Sequence, residues 1–71
     1  MTNEHTWFLI MNKEIHRVFD KKLDKWAVKR SDHPSYLNVY KHVEHADNFG
    51  VWFSEFDKAT FIRYDKDGKK V

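Results

Sequence analysis

The sequence predicts an α+β fold: a single domain over residues 1–71, with an antiparallel sheet of about five strands and one amphipathic helix on one face, in the order ββαβββ. Three observations lead there. An unbroken apolar block, Trp7-Phe8-Leu9-Ile10-Met11, stands ahead of a turn signal at Asn12. A lysine-rich stretch with helical spacing follows it. The last third then places short aromatic runs between Asp, Asn and Gly turns.

The first element is the least determined. Phe8, Met11, Ile15, Val18 or Phe19, Leu23 and Trp26 recur at steps of three to five residues, which fits one long helix. A hairpin competes with it. Trp7 to Met11 is then the first strand, Asn12-Lys13-Glu14 the turn, and Ile15 to Phe19 the second strand, with Met11 opposite Ile15 and Trp7 opposite Phe19. Five consecutive large apolar residues would cover every side of a helix, so the hairpin is preferred.

Asp20 is a good N-cap, and a helix opened by it puts Leu23, Trp26, Ala27 and the base of Arg30 on one side. Lys21, Lys22, Lys25 and Lys29 fall on the other, with only Val28 out of place. Ser31-Asp32-His33-Pro34-Ser35 is a loop, because Pro34 forces His33 out of the helical region. Tyr36 to Val43 alternates as a strand; a helix opened by Asp32 and Pro34 is the rival, disfavoured by its mediocre helix formers. Asp47-Asn48-Phe49-Gly50 then reads as a turn, Val51 to Phe56 as a strand, and Thr60 to Tyr64 as another. Asp65-Lys66-Asp67-Gly68 is a tight turn before a short final strand or tail.

Seventy-one residues build a small core, worth roughly 3 to 5 kcal/mol net in domains of this size. Cysteine is absent, which excludes disulfides, thiol catalysis and thiolate metal sites. Three Trp, three Tyr and six Phe carry more aromatic surface than such a core hides, so part of it is expected against a partner. Charge is segregated. Residues 13–30 hold seven basic and three acidic side chains, residues 31–57 one basic and five acidic, and residues 58–71 five basic and two acidic. That pattern favours an orienting electrostatic contact over bulk attraction to polyanions.

The first residues, Met1-Thr2-Asn3-Glu4-His5, lack the basic start of a signal peptide, and the apolar run is too short to span a bilayer. A soluble cytoplasmic protein without a membrane contact is the expectation.

Chemistry is sparse. His42 and His45, three apart beside Glu44 and Asp47, share a metal only if they lie on a helix, and two partly exposed histidines are the simpler account. Asp65-Lys66-Asp67-Gly68 resembles the opening of a calcium loop but lacks its third acidic position and closing Glu. No phosphate loop, nucleophile elbow or paired carboxylates are present, so the expectation is a non-enzymatic protein with no cofactor and no metal.

Two function classes remain. The first is a small protein-binding module, an inhibitor or adaptor that occupies a partner protein's surface through aromatic anchors Trp52, Tyr40 and Tyr64, steered by Lys21, Lys25 and Lys29. Small cysteine-free chains rich in Lys, Asp and Asn are common among accessory proteins of phages and mobile elements that act this way. Self-association as a homodimer, through an edge strand or an exposed aromatic face, is a variant. The second class is nucleic-acid binding, with Lys21, Lys25 and Lys29 on one helix face and the aromatic strands as a stacking surface.

Overall fold

Strand β1, Glu14–Asp20, is paired along both edges, antiparallel on one and parallel on the other. The computed structural model describes residues 13–71. After β1 come β2 (Lys25–Arg30), β3 (Tyr36–Tyr40), the helix α1 (Val43–Asp57) and β4 (Thr60–Arg63). The sheet order is β3-β2-β1-β4. β1 and β3 run antiparallel to β2, whereas β4 lies parallel to β1, so over the described residues the sheet is mixed and has four strands, where an antiparallel sheet of about five was expected. The α+β class holds, and the order over these residues is βββαβ where ββαβββ was expected.

The expected first strand, Trp7 to Met11, lies outside the described residues. Its expected partner is engaged elsewhere. Ile15 is opposite Arg30 on one side and Phe61 on the other.

The expected helix over Lys21–Arg30 is a turn and a strand. Asp20 behaves as a cap, its carboxylate accepting the Leu23 N–H at 3.0 Å, but the turn closes after four residues. Asp24 adopts a left-handed φ of 56°, which ends a helix, and Asp tolerates it better than most residues. The chain then returns antiparallel, pairing Lys25 with Asp20, Trp26 with Phe19 and Val28 with Arg17. Val28, the residue that spoiled the helical wheel, is one of the two largest fully buried side chains, beside Ile15.

Ile15, Val28 and Ala46 form the centre of the core, and Trp26, Leu37, Tyr40, Phe49, Phe53, Ala59 and Phe61 pack against it. The core therefore sits between α1 and one face of the sheet. β3 keeps the expected strand over Tyr36–Tyr40, with an irregularity opposite Val28 and Lys29 that lets Leu37 join the core.

The second large correction is α1 itself. Residues 47–50 are not a turn, and 51–56 are not a strand. Ala46, Gly50 and Ser54, four apart, form the buried stripe of a fifteen-residue helix. Gly50 is there because of close packing: a Cβ at that position would stand 2.2 Å from the Phe61 ring. Lys58, left-handed at φ 53°, closes the helix by donating its N–H to Glu55 and Ser54 carbonyls, and Thr60 then donates to the Lys13 carbonyl at 3.0 Å to start β4 beside β1.

The last turn is as expected. The Asp65 carboxylate accepts the N–H groups of Asp67 and Lys69, both at 2.9 Å, and Gly68 takes φ 82°. Only an isolated bridge, Tyr64 with Lys70, represents the expected final strand. Among the described residues no helix is long and apolar enough to cross a membrane.

Candidate partner-binding surface

With Ala46, Gly50 and Ser54 against the sheet, helical geometry sends Phe53, Phe49 and Phe56 up one flank of α1, with Trp52 near the crest. Asp47, Glu44 and Glu55 line the opposite flank. The aromatic flank overhangs β2 and β3: Tyr40 tilts against Phe49 with ring centroids 5.9 Å apart, and the Arg30 guanidinium lies 5.2 Å above the Phe53 ring. The acidic flank overhangs β1 and β4, where Arg17 and Arg63 reach Asp47.

The aromatic flank is a continuous ridge. Phe49 and Phe53 are stacked at 5.7 Å, Phe49 meets Trp52 at 6.0 Å, and Trp52 stacks on Phe56 at 5.7 Å with the planes only 10° apart. Its lower members are core. Its upper members are not: Trp52 is 58% exposed and Phe56 72%. Stacking restricts Trp52 and Phe56, so the surface they form needs little further ordering. Soluble proteins rarely display large aromatics side by side without a use for them.

Of the three aromatic anchors named from the sequence, Tyr40 and Trp52 are thus brought onto one surface, joined through Phe49. Tyr64 is not. It stands at the far side of the sheet, edge-on to His16 with centroids 5.1 Å apart. Phe56, which sequence reading assigned to a strand, is more exposed than any of the three. The signal that would have found it is the small-residue stripe Ala46, Gly50 and Ser54, which fixes where the helix turns its large side chains.

The lysine row dissolves as a helical feature. Lys21 lies in the β1–β2 turn, while Lys25 and Lys29 alternate on β2 toward the face opposite α1, across from Asp20 and His16. On that second face Tyr36 donates its hydroxyl proton to the Asp20 carboxylate across β2. This bond holds Asp20 below the ordinary carboxylate range, helped by the Leu23 N–H, and raises the Tyr36 phenol. Fully buried Ala27 lies between the two lysines along the strand.

Where β1 ends, a cleft of about 330 Å³ opens against the last turn, lined by His16, Val18, Phe19, Lys21, Tyr64 and residues 65–68. Lys66 caps the Phe19 ring at 4.9 Å. Lys21 and Tyr64 therefore meet here, some way from the helix, in a cleft that mixes lysine with Asp65 and Asp67.

His42 and His45 do come to a helix start, their rings 5.4 Å apart, with His45 also edge-on to Tyr40. No group of three or more metal-ligating side chains exists among the described residues. Both histidines are exposed. No protein family, curated protein or solved structure matches this chain in comparisons with known proteins.

Proposed function

We propose that the protein is a small binding module that engages another protein through the ridge on α1, with Trp52 and Phe56 as anchors and Tyr40 and Phe49 as their support. The observation that carries this reading is the parallel stack of two large, mostly exposed rings on a rigid helix. Hot spots at protein interfaces are enriched in aromatic residues held in place before binding. In this reading the module is an inhibitor or adaptor that acts by occupying the partner's surface.

The test is retention of a partner on immobilised protein. Trp52→Ala and Phe56→Ser should each lose the partner while shifting unfolding free energy by less than about 0.5 kcal/mol, as exposed positions do. Leu23→Ala, 51% exposed in the turn at the other end of the sheet, should retain it. Equal retention by all three variants would remove the ridge from consideration.

A second reading rests on the other face. Lys25 and Lys29 share it with His16, and Lys21 and Lys66 stand at its cleft beside Tyr64. Phosphate binding there should weaken steeply with salt and fall when Lys21, Lys25 and Lys29 are replaced together by Gln. Absence of oligonucleotide retention at low salt excludes it. Asp65 and Asp67 in the same cleft weigh against a phosphate chain.

A further inference from the structure

We propose that the occupant of the ridge is cationic and amphipathic: an apolar protein surface flanked by Lys or Arg, seated along Trp52 and Phe56 with its positive charge toward Glu55. The proposal rests on the protein-binding reading above and adds the chemistry of the partner.

Charge on α1 is the first argument. The helix carries Glu44, Asp47, Glu55 and Asp57 and no Lys or Arg. Two of these carboxylates are matched from the sheet side, Asp47 by Arg17 and Arg63, and Asp57 by Lys13 and Arg30. Glu44 and Glu55 enter no ion pair among the described residues. They stand on the acidic flank, next to the crest that bears Trp52, and Lys41 and Lys58 lie beyond the two helix ends.

The C-terminal end sharpens the argument. Unpaired carbonyls give a helix C-terminus negative character, which Lys or Arg in the last turn usually offsets. Here the last turn holds no basic residue, and of its two carboxylates Asp57 is matched by Lys13 and Arg30, which leaves Glu55 and the helix end as the unmatched negative groups beside Phe56. A cation from a partner would meet a carboxylate, the helix end and an aromatic face together.

Aromatic chemistry points the same way. Elsewhere the chain sets cations over its own rings, Arg17 over Trp26 at 4.6 Å, Arg30 over Phe53 and Lys66 over Phe19. Among the described residues none stands over Trp52 or Phe56, the two outermost rings. A second copy of the chain is disfavoured on this surface, because α1 against α1 brings acidic flanks together. Nucleic acid is disfavoured for the same reason.

The test titrates the full-length isotope-labelled chain with two synthetic amphipathic helical peptides that share a leucine face, one with Lys and Arg on its polar face and the other with Glu. The cationic peptide should shift the amide resonances of α1 and saturate, while the anionic one should not. Glu55→Lys should weaken that binding by about threefold to tenfold, as loss of a flanking charge does. Trp52→Ala should weaken it by about tenfold or more. Equal binding of both peptides, or no effect of Glu55→Lys, overturns the cationic partner and leaves the ridge in place. No shift in α1 with either peptide overturns the ridge as well. Broadening of α1 resonances with protein concentration alone would instead identify a second copy as the occupant and contradict the proposal.

Discussion

The Arg17 guanidinium donates to the Asp47 carboxylate at 2.7 Å, tying β1 to α1 across thirty residues of sequence. Its second arm donates to the Tyr64 carbonyl at 2.7 Å, so one side chain fixes the helix and the end of β4 together. Arg17 is 5% exposed, which makes the pair costly to break. Asp47→Ala should destabilise the fold by about 3 kcal/mol, because it strands a buried cation. Arg17→Lys should also lose stability in chemical denaturation, since an ammonium cannot span both acceptors.

Gly50 tests the packing of α1. In an open helix Gly→Ala is favourable by about 1 kcal/mol. Here the Phe61 ring occupies the space, so Gly50→Ala should instead lose about 2 kcal/mol through overpacking. Adding Phe61→Ala should reverse the sign of the Gly50 substitution, and a double-mutant cycle measures the coupling.

Ser54 is 4% exposed and its hydroxyl finds no hydrogen-bond partner among the described residues. Ser54→Ala should therefore stabilise the protein by about 1 kcal/mol, since it removes an unsatisfied buried group and improves helix propensity. A lowered melting temperature would show that the hydroxyl has a partner.

The Tyr36–Asp20 bond gives a signed pH dependence. It requires ionised Asp20 and protonated Tyr36. Because the folded pKa of Asp20 lies below the ordinary aspartate value of 3.8, the contribution is present above that value and is lost as pH falls through the lower folded pKa. Tyr36 has a folded pKa above 10.0, so its contribution is present below 10.0 and is lost as pH rises through the higher value. Carboxyl chemical shifts should place the Asp20 midpoint below that of an ordinary aspartate, and Tyr36→Phe should raise it.

Much of the fold was legible wherever local chemistry acted alone. The turns at 31–35 and 65–68, the strands in 36–40 and 60–63, and most of β1 follow from Pro34, Gly68 and simple alternation. What failed was periodicity read without register. Leu23, Trp26, Ala27 and Arg30 fit a helix, and only burial of Val28 against Ile15 distinguishes the strand. Gly50 failed in the opposite sense, because glycine marks a turn as readily as a close approach, and Phe61, whose ring makes the approach, lies eleven residues away. The site inherited both errors. Trp52 and Tyr40 share one surface only because α1 forms, and the lysines lie elsewhere because their helix does not form.

The most direct measurement is site-specific photocrosslinking, with a benzophenone side chain placed in turn at positions 52, 56, 23 and 25 of the full chain. The account predicts that one and the same protein, identified by mass spectrometry, is captured from Trp52 and Phe56 and not from Leu23 or Lys25. Capture of a protein from Leu23 or Lys25, with none from the two ridge positions, would contradict it.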